Sequence, residues 1–175
     1  MMVVDEYGKP MPFGTEGEVI VCGDNITAGY LDNEEANHES FRDGWFYTGD
    51  LGKFDEDGYL FLTGRKKELI NRAGEKISPR EIDEVLYQIP GITIAAAVGV
   101  PDPLFGEEVV AYVQVSEEAR VSAKDIQNYC IKKLADFKVP KKIFFLEEFP
   151  KGANGKIQRR KLAELYIQEH GKTNY

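Results

Sequence analysis

The chain has 175 residues, 42% of them hydrophobic and 30% charged, which is globular composition, too apolar for intrinsic disorder and too polar for a chain immersed in a bilayer. Its net charge of -8 argues, as an average, against a nucleic-acid partner. That average conceals a split: residues 1–64 hold 3 basic against 14 acidic side chains, and residues 65–175 hold 19 against 16, which predicts two units with different electrostatic roles.

In chain order, the first third reads as short strands and tight turns. Residues 18–23 form a strand ending on Gly23, and Gly29-Tyr30-Leu31-Asp32-Asn33 turns into an acidic helical run over 34–41. Three aromatics, Trp45, Phe46 and Tyr47, then stand between the turn residues Asp43-Gly44 and Thr48-Gly49-Asp50. A hairpin follows, with strands over 51–54 and 59–62 about the turn Asp55-Glu56-Asp57-Gly58. A segment of about 60 residues makes a poor core alone, so an all-β fragment of a larger domain is expected.

After Gly64 the pattern changes. Runs at 68–71 and 75–77 flank a glycine turn at Gly74. Ser78-Pro79-Arg80-Glu81 predicts a helix start with a capping box and proline at its first position. Ile82, Val85, Leu86 and Ile89 give that helix one apolar face. Strands are predicted over 92–100 and 109–115, joined by the loop 101–106, and a second amphipathic helix over 122–134 points Ile126, Tyr129, Cys130 and Leu134 inward. A strand over 142–146 and a helix over 158–168 complete an α+β unit, a three-stranded sheet core plus a hairpin, with helices. The expected division is 1–64 and 65–175, with a hinge near 65–67.

Cys22 and Cys130 have no paired spacing, so neither a disulfide framework nor a cysteine-rich metal site is expected, and the cytoplasm is the expected compartment. His38 and His170 lie in polar segments and read as solvated surface residues. The opening residues Met1-Met2-Val3-Val4-Asp5 lack the basic and apolar regions of a signal peptide. No apolar run approaches the roughly 20 residues of a transmembrane helix.

Three stretches could hold chemistry. In Tyr47-Thr48-Gly49-Asp50, a carboxylate after glycine can accept hydrogen bonds from two vicinal hydroxyls such as those of a ribose, although an Asp after Gly is also an ordinary turn residue. In Thr63-Gly64-Arg65-Lys66-Lys67, a glycine followed by three cations can form a hinge that presents Arg65 to a phosphate or ribose, or can be a solvated basic linker. Gly152-Ala153-Asn154-Gly155-Lys156 reads as a flexible loop ending in a lysine, whose compact charge can meet negative charge developing on a phosphate. Ile157 follows that lysine where a P-loop needs Ser or Thr, so the loop is not a P-loop.

In order and spacing these stretches resemble the closing motifs of the adenylate-forming superfamily: acyl-CoA synthetases, firefly luciferase and the adenylation domains of nonribosomal peptide synthetases. The likeness runs through Gly17-Glu18-Val19, Asp43-Gly44-Trp45-Phe46-Tyr47-Thr48-Gly49-Asp50, Gly64-Arg65-Lys66-Lys67-Glu68, Gly74-Glu75-Lys76-Ile77-Ser78-Pro79, Val98-Gly99-Val100-Pro101-Asp102, Phe137-Lys138-Val139-Pro140 and Gly155-Lys156. The run from Leu69 to Pro79 and the ending Gly155-Lys156-Ile157-Gln158-Arg159-Arg160 look most like acid-CoA ligases.

The resemblance implies a C-terminal piece of such an enzyme: the end of the large domain's β-barrel subdomain followed by a complete lid domain. It implies two steps, formation of an acyl-adenylate from a carboxylate and ATP, then transfer of the acyl group to CoA with release of AMP. It implies ATP with Mg2+, the metal site lying outside this chain, CoA as co-substrate, and the rest of the large domain as partner. By position, Asp50 would bind the ribose hydroxyls, Arg65 the ribose or phosphate region, and Tyr47 would pack against the nucleotide site. Lys156 would be the adenylation lysine, Lys67 the hinge, and Gly74 would line the pantetheine tunnel. Asn71 stands where some members have a second lysine and receives no catalytic role. The phosphate-binding loop and acyl pocket would lie upstream, so the isolated chain is expected to be inactive. Two alternatives stay open: an adenylation domain that loads a carrier protein, and a non-catalytic interaction module of the same fold.

Overall fold

A computed structural model describes residues 1–170, which fold as two units adjoining in sequence at Lys67 and Glu68. No helix among the described residues is long and apolar enough to cross a membrane.

The first unit is built on one antiparallel sheet. Its strands are β1 (Met2–Val4), β2 (Gly17–Val21), β3 (Phe41–Arg42), β4 (Trp45–Phe54) and β5 (Leu60–Arg65), in the order β1-β2-β4-β3 with β5 also on β4. Val3, Val4, Val19, Ile20 and Leu51 are buried on it. A short helix α1 (Glu34–Ser40) is capped by Asn33, whose side chain accepts the Ala36 N–H. Just beyond it Phe41 packs on Phe46, with centroids 4.9 Å apart.

The aromatic segment read as lying between turns is instead the first half of a ten-residue strand. Trp45, Phe46 and Tyr47 favour extended backbone, and the turn signals after them are absorbed as a bulge. Tyr47 pairs with Ile20 and Leu51 with Glu18, so Thr48, Gly49 and Asp50 together face the single residue Val19. Gly49 supplies the left-handed backbone (φ +72°) that this bulge requires.

The second unit places helices on both faces of a mixed sheet. Its elements are β6 (Ile70–Arg72), β7 (Glu75–Ile77), α2 (Pro79–Leu86), β8 (Ile92–Asp102), β9 (Gly106–Val115), α3 (Ala123–Ile131), β10 (Lys142–Phe145) and α4 (Arg159–His170). Central β9 pairs antiparallel with β8 along one edge. Along the other it pairs parallel with β10, and at Gly106 with the β6 and β7 hairpin. Alternate residues point to opposite faces of a strand. Ala95, Ala97, Val109, Ala111 and Val113 therefore meet Ile82, Leu86, Ile126 and Cys130 from α2 and α3. Ala96, Val98, Val100, Val110 and Tyr112 meet Leu162, Leu165 and Tyr166 from α4.

Ser78 and Pro79 start α2, but the Ser78 side chain makes no cap bond to the helix, so the expected capping box is not complete; the Glu81 carboxylate accepts from Lys138 at 2.7 and 2.8 Å. A complete box forms at α3 instead, between Ser122 and Asp125. His170 is not the solvated surface residue expected; its ring stacks on Tyr166 at 4.5 Å and meets Phe144 at 5.4 Å.

Candidate functional site

On the first unit, the bulge delivers Asp50 to the end of β4 opposite Arg65 of β5. The Arg65 Nε donates to Asp50 Oδ1 at 2.7 Å, and both side chains remain open to solvent, 29% for Asp50 and 60% for Arg65. Tyr47, half-buried three residues earlier, has the Arg42 guanidinium 5.1 Å from its ring centroid. A residue with no assigned role in the sequence reading, Glu18, holds this end of the sheet together. Its Oε1 accepts the Gly49 N–H at 3.2 Å, and its Oε2 takes the Lys66 ammonium at 2.8 Å. Glu18 is only 11% exposed, while Lys66 is 57% exposed. Lys67 follows, exposed, in the 3₁₀ turn Lys66–Glu68.

On the second unit, Gly74 sits in the turn between β6 and β7. Ala73 (φ +52°) and Gly74 (φ +92°) both adopt left-handed backbone, as a type I′ hairpin turn demands. A Cβ on Gly74 would meet nothing within 4 Å, so it is backbone conformation rather than space that selects glycine within this unit. An alanine in this region costs about 1–2 kcal/mol, and the turn is held accordingly. The Ala73 N–H donates to Phe105 O at 2.8 Å and the Gly74 N–H to Asn71 Oδ1 at 3.1 Å, which gives Asn71 a structural role.

The strongest hold is Arg72. Its Nε and Nη2 grip Glu108 at 2.7 and 3.1 Å, and its guanidinium lies 4.0 Å from the Phe105 ring centroid. Burial works to raise the Glu108 carboxyl, but the bond from Arg72 and the Val109 N–H overcome it and hold the group below the ordinary carboxylate range. The bond to Glu108 pushes the Arg72 guanidinium up in turn.

Lys156 stands exposed at the end of a loop that its own backbone closes. Gly152 N–H donates to Lys156 O at 2.8 Å, Gly155 N–H to Gly152 O at 2.9 Å, and Lys156 N–H to Asn154 Oδ1 at 3.1 Å. Lys151 and Ile157 bridge below it, and Gln158 N–H reaches Pro150 O at 2.8 Å.

Three residues past Lys156, Arg159 opens α4 and spreads its fork over α2, the free edge of β8 and Glu68. Nη2 pairs with Asp83 Oδ2, Nη1 donates to Ala97 O at 2.9 Å, and Nε meets Glu68 Oε2 at 3.1 Å. Asp83 in turn accepts the Ala97 N–H at 2.7 Å. The two side chains thus satisfy backbone groups that an edge strand would otherwise leave open, and they link α2 and α4 around that edge. Burial pushes the Asp83 carboxyl up, against the opposing pull of Arg159. For Arg159, burial pulls downward but Asp83 and Glu68 outweigh it, and the guanidinium is raised.

The structure therefore brings Asp50, Arg65, Glu18 and Lys66 together on one unit, and seats Gly74 and Lys156 on well-braced loops of the other. Sequence reasoning missed Glu18, Asp83, Arg159, Arg72 and Glu108 as braces. Glu18, Asp83 and Arg72 are charged residues at positions that strand or helix periodicity assigns to a packed surface, which is the available signal.

Residues 81–156 match the AMP-binding enzyme C-terminal domain family, and the match ends on Lys156. A probable CoA ligase of Humulus lupulus is 50% identical over 169 residues, 97% of this chain and 32% of the relative. An oxalate–CoA ligase of Arabidopsis thaliana is 48% identical over 169 residues, 97% of this chain and 33% of the relative. Among solved structures, ATP-bound MatB from Rhodopseudomonas palustris aligns with a TM-score of 0.90 at 37% identity, over 97% of this chain and 34% of that one. The o-succinylbenzoate CoA synthetase of Bacillus subtilis in complex with its acyl-adenylate intermediate aligns with a TM-score of 0.86 at 34% identity, over 93% of this chain and 33% of that one. The chain spans about a third of the length of the curated relatives it matches. Residues 81–156 thus resemble an AMP-binding enzyme C-terminal domain, and in sequence and fold the chain is similar to CoA ligases and other adenylate-forming enzymes.

Proposed function

We propose that this chain is the closing part of an ATP-dependent acid-CoA ligase. In the first step a carboxylate oxygen attacks the α-phosphorus of ATP, and the bond to the β,γ-pyrophosphate breaks. In the second the CoA sulfur attacks the acyl carbon of the adenylate, and AMP leaves. Asp50 accepts the ribose hydroxyls, Arg65 steadies both that carboxylate and the ribose or phosphate region, and Tyr47 packs alongside the nucleotide. The Lys156 ammonium meets the charge that grows between carboxylate and α-phosphate. Gly74 offers a side-chain-free backbone to the pantetheine arm, and rotation at Lys67 exchanges the Lys156 loop for the Gly74 turn between steps. Such closure keeps water from a hydrolysable mixed anhydride.

The observation that carries this reading is Lys156: it ends the matched domain, and it is an exposed cation on a loop whose backbone is closed on itself. Mg2+ accompanies ATP in this reading, but among the described residues no cluster of three or more His, Cys, Asp or Glu side chains is arranged to hold a metal ion, so no step assigned to this chain runs through one.

The full-length protein, given ATP, free CoA and a panel of oxalate, sulfoacetate, 2-succinylbenzoate and a fatty acid, is expected to form AMP and a CoA thioester with at least one acid. Acid-dependent pyrophosphate exchange without CoA consumption would instead identify a domain that loads a carrier protein. Absence of both activities across the panel would favour the non-catalytic module.

A further inference from the structure

We propose that the second unit positions its two candidate stations independently, through two separate arginine clamps. Arg159, gripped by Asp83, orients the Lys156 loop for the adenylation step, and Arg72, gripped by Glu108, orients the Gly74 turn for the thioester step. This rests on the roles given above to Lys156 and Gly74.

Each clamp has the same construction. A guanidinium that is 21% exposed takes a carboxylate that is 7–9% exposed, by side chain, through both arms of its fork. A planar bidentate pair fixes direction as well as distance, which a lysine cannot do. Each arginine also makes further fixed contacts, Arg159 with Ala97 O and Arg72 with the Phe105 ring. Each then stands within three residues of its station: Arg159 after Lys156, Arg72 before Gly74. Neither station is reached by the other clamp. The partners of Arg159 are Asp83, Glu68 and Ala97, and those of Arg72 are Glu108 and Phe105. With no partner in common, the two clamps are proposed to act independently, so that loosening one leaves the other step intact.

Arg72 and Arg159 are positioning residues, since each anchors the chain next to its loop, two residues before Gly74 and three after Lys156, and their side-chain partners lie elsewhere in the unit. A charge carried on a misplaced loop loses its effect steeply: a displacement of about 1 Å can cost about a hundredfold in rate.

The test uses the full-length protein with Arg159→Lys and Arg72→Lys, which keep the positive charge but lose the fork. Two half-reactions are read separately: acid-dependent pyrophosphate exchange, and CoA thioester formation from a preformed acyl-adenylate. Lys156→Ala is the reference for the underlying reading. Arg159→Lys is expected to lower the kcat of exchange about tenfold to a hundredfold, with the KM for ATP little changed and thioester formation within about threefold of wild type. Arg72→Lys is expected to do the reverse. Asp83→Asn and Glu108→Gln preserve shape and should reproduce the selectivity of their arginine partners, so they decide the matter if either lysine variant fails to fold. If both clamp variants slow both half-reactions equally, or neither slows either, while Lys156→Ala still abolishes exchange, the clamps are general braces and the proposal is wrong. If Lys156→Ala leaves exchange intact, the role of Lys156 is what fails.

Discussion

Removing the Arg159 side chain tests the physical basis of the second unit most sharply. Arg159→Ala leaves the Asp83 carboxylate, 7% exposed, without its counter-charge, and strips Ala97 O of its donor at the edge of β8. Breaking a buried ion pair from one side costs about 3–5 kcal/mol, because the remaining charge stays desolvated. The guanidinium is still 21% exposed, which sets the expectation near the lower end, about 3 kcal/mol. The loss should depend on pH, with a sign fixed by burial. Asp83 already titrates above the ordinary carboxylate range because burial outweighs Arg159, and deleting Arg159 removes the opposing pull and raises it further. A carboxyl whose folded pKa exceeds its unfolded value of about 3.9 binds more protons in the folded state, so stability falls as pH rises from about 4 through the folded pKa. The deficit of the variant against wild type should therefore be smallest near about pH 4 and grow toward about pH 7, by about 1.4 kcal/mol for each unit of additional rise. Urea unfolding followed by far-ultraviolet circular dichroism reads mainly the second unit, which holds α2, α3 and α4. Adding Asp83→Asn should recover part of the loss and flatten its pH dependence. A deficit below about 1 kcal/mol, or one that shrinks with rising pH, would show that Asp83 is not held as a buried charge.

Other consequences follow from single contacts. Leu162, wholly buried under the sheet, should cost about 2–5 kcal/mol when cut to alanine and should loosen α4, seen as faster amide exchange along that helix. A Cβ on Gly52 would lie 2.8 Å from Phe61 O and 3.1 Å from Val19 Cγ2, so Gly52→Ala should destabilise the first unit by about 1–3 kcal/mol. Trp45, the single tryptophan, reports that unit by fluorescence, and the circular dichroism of the second unit should be unaffected. Cys22 is exposed, whereas burial pushes the Cys130 thiol up to about 11. Iodoacetamide at neutral pH should therefore add one group to the folded chain, at Cys22, and a second only in denaturant; mass spectrometry giving early alkylation of Cys130 would contradict the packing of α3.

What the sequence made legible is what depends on near neighbours. The β-rich runs through 92–100 and 109–115 gave β8 and β9, and the spacing of Ile126 and Cys130 gave the buried face of α3. Motif order singles out Asp50, Arg65, Gly74 and Lys156 as candidates. Local signals misled where a longer-range partner competed for the same group. Glu81, expected to close a capping box on α2, pairs with Lys138, 57 residues on. The glycine and carboxylate after Tyr47 looked like a turn until β2 paired along both sides of them and made a bulge. The clamps were invisible for the same reason: Arg159 and Asp83 are 76 positions apart, Arg72 and Glu108 36, and no periodicity relates one member to the other.

The assignment of Lys156 is the centre of this account, and separating the two half-reactions in full-length Lys156→Ala tests it most directly. Pyrophosphate exchange should fall by about 10² to 10³, the usual worth of one oriented charge at a developing oxyanion, while CoA transfer to a preformed adenylate continues near the wild-type rate. Undiminished exchange, or an equal loss in both half-reactions, would contradict it.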